Sequence, residues 1–508
     1  MQLKRFFGLV LVLALLCAVP LAPRAHGANL TTADVSEYPE LIFRGGFHEL
    51  CINENTPEVQ EVFSSLWIGD LLNSRMDDLL GCLKTLDFDR VIDILKDIMW
   101  EWFGPIRMDE NGDSFNPGIT CDKAYWLPEY EGKPRFESDW RLSPIDNAHR
   151  LHRYLEYASD RYGAEKFNLK PISGSVPLLL TYLDIYGYDR VASINIDLTT
   201  HNGTTLFGEL FTRRLKLDEE ALSKLKNVEG ILSFDLSAVS SVLRLLFEPG
   251  VMGIVERFLK LAAGRIIDRT YDEILVPLLS TMPGFWTYVP LKDYETAKKA
   301  MLGSNPNANL EKKLDAWHDV ALRADDIIRE AAQRVKVGVW AGYGTPLAPL
   351  GKTDGATGDF LVDTKYASLG ATCAPLSLPF LPGYRQKNAC GGHRHISPDR
   401  MIDASTCVLP DQTWFALNNP HSAMYSYSGW YEWFLVTDNP TVFGNERYPQ
   451  FMERVVFYGE EGGAWAEYLP LVKTSGETFL LILQSIGLHI MRIWRRLLLL
   501  PLFWVDLV

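Results

Sequence analysis

Residues 143–198 constrain the fold more than any other stretch, because they read as helix, strand, one short turn, helix and strand in immediate succession. Ser143, Pro144 and Asp146 supply an N-cap, a proline at the first helical position and an acid at the third. The helix they open carries Ile145, Ala148, Leu151, Leu155 and Ala158 on one face to about Tyr162, and Gly163 ends it. Residues 166–170 read as a strand, 176–186 as a helix and 190–198 as a further strand. That order is the grammar of a doubly wound, mostly parallel sheet, so the predicted fold class is α/β.

The rest of the chain extends this frame. Residues 39–43 read as a buried strand running into the glycine turn Arg44-Gly45-Gly46-Phe47. Residues 57–104 carry helical spacing through Val59, Val62, Phe63 and Leu66, and again through Phe88, Val91, Ile92, Leu95 and Met99. From 207 to 334 the patterns are mostly helical, which predicts a helical cap inserted into the core. Residues 335–340 return to a strand and 342–358 to a Gly/Pro-rich loop. The core thus divides into 29–206 and 335–475.

The two ends stand apart. Residues 1–28 have Lys4 and Arg5, an apolar run and small residues near Ala28, the pattern of a secretory signal that is removed on export. Uncleaved, the run is just long enough for a marginal anchor. Residues 476–508 are apolar with Arg492, Arg495 and Arg496 interspersed, which fits either a helix lying in a membrane interface or one packed on the domain. The expected location is therefore extracellular or cell-surface, with possible membrane-surface association. With 50 basic and 64 acidic residues the net charge is −14, and no basic run lies outside the termini, so nucleic acid is not an expected partner.

Outside the signal, Cys51, Cys82, Cys121, Cys373, Cys390 and Cys407 remain, an even count that suits disulfides in an exported chain. Locality suggests one bridge within the first three and one within the last three. No CxxC spacing points to a metal. His393 and His395 alternate in a loop, but two ligands do not make a site; a surface loop tied by Cys390 is the reading adopted, with no metal and no cofactor. Asn29-Leu-Thr31 and Asn202-Gly-Thr204 match the glycosylation acceptor pattern.

Chemistry enters at Ser173, in Pro171-Ile-Ser173-Gly174-Ser175, where a strand gives way to a helix across one tight turn. Such a nucleophile turn wants small residues two before and two after the serine, and glycine normally fills both; here Pro171 and Ser175 do. A serine also needs a base and an orienting acid, because an unassisted hydroxyl is a poor nucleophile at neutral pH.

Asp139-Trp140-Arg141-Leu142-Ser143-Pro144, the helix after it and the strand into Ser173 together resemble the lecithin:cholesterol acyltransferase and phospholipid:diacylglycerol acyltransferase family. Residues 282–290, Met-Pro-Gly-Phe-Trp-Thr-Tyr-Val-Pro, look like that family's aromatic cap segment. The P-I-S turn is similar to that of a group of bacterial relatives. The resemblance covers about 35–205 and 335–425.

It implies an α/β-hydrolase fold with an inserted cap and a triad in the chain order Ser, acid, His. Gly358-Asp359-Phe-Leu-Val362 resembles the family's acid segment and nominates Asp359, with Asp354 and Asp363 as competitors. His421, in the loop after a strand at 414–417 taken as the last one, holds the position of the family's histidine, ahead of His393 and His395. Backbone N–H groups of Phe47 and Gly174 are the expected oxyanion donors. Asp139, Trp140 and Arg141 are read as structural, a buried ion pair fixing loops beside the site.

The implied activity is hydrolysis or transfer of acyl groups on a lipid-like ester. A catalytically silent binding or scaffold protein is the alternative, and a peptidase or glycan esterase on the same scaffold a third.

Overall fold

The computed structural model describes residues 36–43, 50–52, 60–64, 67–85, 87–120, 134–215, 268–303, 306–347, 356–376, 378–423, 427–458 and 464–471. The expected signal segment, the apolar C-terminal segment, Phe47, Asp354, Cys121 and residues 216–267 of the cap lie outside them. Among the described residues no helix is long and apolar enough to cross a membrane.

The main sheet is built from β1 (Glu40–Phe43), β2 (Arg135–Phe136), β3 (Phe167–Lys170), β4 (Val191–Asp197), β5 (Lys336–Tyr343), β6 (Thr413–Leu417), β7 (Phe451–Tyr458) and β8 (Ala464–Pro470). Their order across the sheet is β8-β7-β6-β5-β4-β3-β1-β2. Every pair is parallel except β7 with β8, which run antiparallel from Met452 opposite Pro470 to Tyr458 opposite Ala464. The protein is thus an α/β fold on a mostly parallel sheet.

Parallel neighbours require crossovers, and helices provide them. Between β2 and β3 runs α2 (Pro144–Tyr162), following α1 (Phe88–Phe103) in the chain; between β3 and β4 runs α3 (Val176–Tyr186). Ser143 caps α2 by accepting from the Asp146 N–H at 3.1 Å, and Gly163 closes it in the left-handed region. Between β4 and β5 come α4 (Thr205–Phe211), α5 (Ala308–Leu322), α6 (Ala324–Arg334) and shorter helical pieces. The described residues between 207 and 334 are mostly helical. After β6 comes α7 (Ser428–Val436).

Both faces of the sheet are covered, which is why its strands are apolar almost throughout. Leu151 of α2, Leu179 of α3 and Ile328 of α6 share one buried core with Val337 and Val339 of β5. The alternate residue Trp340 points the other way, stacking with Tyr427 and meeting Trp430 of the α7 region at a tilt. A third core joins α1 to the cap through Trp102, Phe103, Phe285 and Trp286.

Three expectations are corrected. Gln60–Phe63 is not helical but a strand of a small antiparallel sheet with Leu50–Ile52 and Ile119–Thr120; a short apolar run has no periodicity long enough to tell the two apart. The strand at 413–417 is not the last, because β7 and β8 extend the sheet beyond it. Cys82, Cys373, Cys390 and Cys407 are free thiols, so the bridge expected among the last three is not formed. Instead, the Cys390 thiol donates to the Ser405 carbonyl and the Cys373 thiol to that of Ala371.

Candidate active site

Ser173 leaves the sheet at the carboxyl end of β3 and stands in the left-handed region, with φ 53°, where an L-residue is strained. The turn is held by its neighbours. The Ser175 hydroxyl accepts from the Ile172 N–H at 2.7 Å and donates to the Ile172 carbonyl at 2.8 Å. A serine two residues after Ser173 therefore does by hydrogen bonding what glycine does by small size. The Pro171 carbonyl accepts from the Asp197 N–H at 3.2 Å, which ties the turn to the end of β4.

His421 follows β6 through Asn418, Asn419 and Pro420, and Asp359 follows β5. The His421 Nε2 lies 2.9 Å from the Ser173 hydroxyl, and its Nδ1 lies 2.8 Å from the Asp359 carboxylate. The His421 backbone N–H also donates to the Asp359 carbonyl at 2.7 Å, locking the two loops together. The other carboxylate oxygen of Asp359 accepts from the N–H groups of Leu361 and Val362, at 3.0 and 2.7 Å.

Gly342 of β5 lets these loops meet, since a Cβ there would stand 2.5 Å from the Asn419 carbonyl oxygen and 3.0 Å from the Asp359 Cβ. The competitor Asp363 faces elsewhere, accepting from the N–H and hydroxyl of Thr205 at the start of α4.

Desolvation opposes a charged His421. The charge and hydrogen bond of Asp359 outweigh that, with Asp197 adding to them, so its pKa is raised above the ordinary histidine value.

Asp197 had no signal in the sequence, because a single acid at the end of an apolar strand announces nothing until its surroundings are known. It is fully buried at the end of β4, and burial pushes its pKa to about 6. The Tyr427 hydroxyl donates to it at 2.5 Å and in turn accepts from the Asn195 amide at 3.1 Å.

The Asp139-Trp140-Arg141 segment lies under the cap. Arg141, fully buried, meets Asp139 through two hydrogen bonds of 2.9 and 2.6 Å and donates also to the carbonyls of Ile106 and Ile119 and to the Ser114 hydroxyl. Its own carbonyl accepts from the Gly284 N–H at 3.0 Å, and Trp140 packs against Phe103 and Phe285. This pins the cap segment that runs on to Tyr288.

Tyr288 matters because its hydroxyl sits over the nucleophile turn: a Cβ on Gly174 would be 2.1 Å from it. Between them remains a cavity of about 20 Å³, lined by Trp140, Gly174, Leu178 and Tyr288 among others, room for one water. Ser173 itself is only 4 % exposed.

His393 and His395 are not near the serine. The sequence reading found two possible metal ligands in a surface loop; the fold buries His395 completely and adds Asp411 as a third.

In comparisons with known proteins, no family model, curated protein or solved structure matches this chain.

Proposed function

We propose that this protein is a serine hydrolase or acyltransferase of the α/β-hydrolase type, acting on ester bonds through Ser173, His421 and Asp359. The observation that carries the reading is the Ser173–His421–Asp359 hydrogen-bonded chain, with its serine on a strained strand-to-helix turn. The order of parts supports it further: nucleophile after β3, acid after β5, histidine after β6.

In this mechanism Ser173 Oγ attacks the acyl carbonyl while His421 Nε2 takes its proton. Asp359 holds the imidazole with Nε2 facing the serine and stabilises the imidazolium. The oxyanion is received by the Gly174 N–H, at the start of the turn that leads into α3; the second donor expected from the sequence, the Phe47 N–H, lies outside the described residues. His421 then gives the proton to the leaving alcohol, and an acyl group remains on Ser173. Water or a second alcohol, deprotonated by His421, releases it.

The lipid-acyltransferase resemblance favours a lipid-like ester met at a membrane surface outside the cell. A fluorophosphonate probe tests the chemistry. The full chain should be labelled at Ser173, and labelling should vanish in Ser173→Ala and His421→Ala. A folded protein that stays unlabelled sinks the reading and favours a binding module, which the shut cavity under Tyr288 would then explain.

A further inference from the structure

A second constellation lies away from the triad, where the loop carrying His393 and His395 meets the turn Pro410–Gln412 that precedes β6. Its geometry is built from the backbone outward. The Gln386 amide spans the loop, donating to the His393 carbonyl at 2.8 Å and accepting from the His395 N–H at 3.0 Å. The alternate residues are thereby held with both rings toward Phe443, whose ring centroid lies 4.5 Å from that of His393 and 5.5 Å from that of His395.

The protonation of His395 can be read from its neighbour. The Gln450 amide nitrogen donates to the carbonyls of Pro410 and Thr413, at 2.8 and 3.1 Å, which fixes the amide's orientation. Its oxygen, 2.9 Å from the His395 Nδ1, must then accept a proton from that nitrogen. In the neutral imidazole the lone pair then sits on Nε2, which is buried and has no hydrogen-bond partner.

That nitrogen faces the Asp411 Oδ1 at 3.2 Å, and this oxygen too is buried without a hydrogen-bond partner. Two lone-pair atoms at that distance repel unless a proton or a metal ion lies between them. The His393 Nδ1 approaches the same oxygen at 3.6 Å, and all three atoms fall within 4.8 Å of one another. Metal–ligand bonds of about 2.1 Å in a tetrahedron put donor atoms roughly 3.4 Å apart, close to both measured separations.

We infer that His393, His395 and Asp411 bind one divalent transition-metal ion of the zinc class. Two imidazoles and a carboxylate form a borderline ligand set suited to such an ion, and Gln450 orients the buried imidazole as outer-shell partners do. The side chains of His393 and Asp411 are 53 % and 37 % exposed, so water completes the coordination from the open side. A proton on His395 Nε2 would satisfy only the pair with Asp411 and leaves the convergence of His393 without a cause. The ion would fasten the 386–407 loop to the foot of β6, and this inference stands whether or not Ser173 is a nucleophile.

The test uses the full chain without an affinity tag, stripped with chelator and dialysed. Zinc should bind at one ion per chain and raise the melting temperature, and cobalt(II) should give the intense visible absorption of a tetrahedral site. His393→Ala and Asp411→Asn should each weaken zinc affinity at least about 10-fold and abolish the cobalt spectrum. His393 is half-exposed, so its variant should keep the wild-type circular dichroism even if changes at His395 do not. A wild-type chain that retains no zinc, or variants that bind it as the wild type does, would overturn the assignment; in the first case the His395–Asp411 contact is a simple imidazolium ion pair.

Discussion

Ser175 is the residue through which the nucleophile turn departs from the glycine pattern, and its two hydrogen bonds to Ile172 make the departure testable. Ser175→Ala should lower stability by about 1–3 kcal/mol in urea titration, because it strands a buried N–H. Asp359→Asn should leave the fold intact and cut turnover by roughly four orders of magnitude, since the imidazole then takes the wrong tautomer. The pH profile separates the two acids near His421. The acid limb of kcat/KM should lie above the ordinary histidine pKa of about 6.5, because the histidine must be neutral to act as a base. Asp197→Asn removes a charge that helps raise His421, so its limb should move to lower pH. An unmoved limb would mean that Asp197 does not act on the histidine.

Individual elements show where sequence patterns carry structure and where they do not. The helix from Pro144 to Tyr162 was legible down to its cap because capping and the left-handed glycine are local chemistry. So were the strands on either side of Ser173, and the turn motif together with the family resemblance nominated Ser173, Asp359 and His421 for one site. Two strands after His421 were missed: much of Phe451–Tyr458 is only half-buried, so no continuous apolar run marks it. The positions of Asp197, Tyr427 and Asp411 depend on packing between distant segments, which no local pattern encodes. The Asp139–Arg141 pair belongs to this scale, since it joins residues 106–119 to the cap. Arg141→Met should cost about 3–5 kcal/mol by leaving Asp139 charged and buried. The double variant with Asp139→Asn should recover much of that loss in thermal or urea unfolding.

For the molecule as a whole, the buried titratable groups give stability a slope against pH. Asp197 is raised from 3.8 to about 6, so the folded state binds its proton more tightly than the unfolded chain. That contribution is fully present below the unfolded value and is lost as pH rises through about 6, on the order of 3 kcal/mol in total. His421 acts in the same direction at higher pH. Unfolding measured from pH 4 to 7 should therefore show a loss that Asp197→Asn reduces.

Ser173 and His421 stand 248 residues apart in the chain, with the whole cap and three further strands of the main sheet threaded between them. If the proposed triad operates, the nucleophile emerges from the ribosome during synthesis long before its base exists. A growing chain therefore carries a chemically inert serine until β6 has been made and docked beside β5. Reactivity switches on only with near-complete assembly, so the time course of probe labelling during refolding would be a clock for the last long-range step of folding.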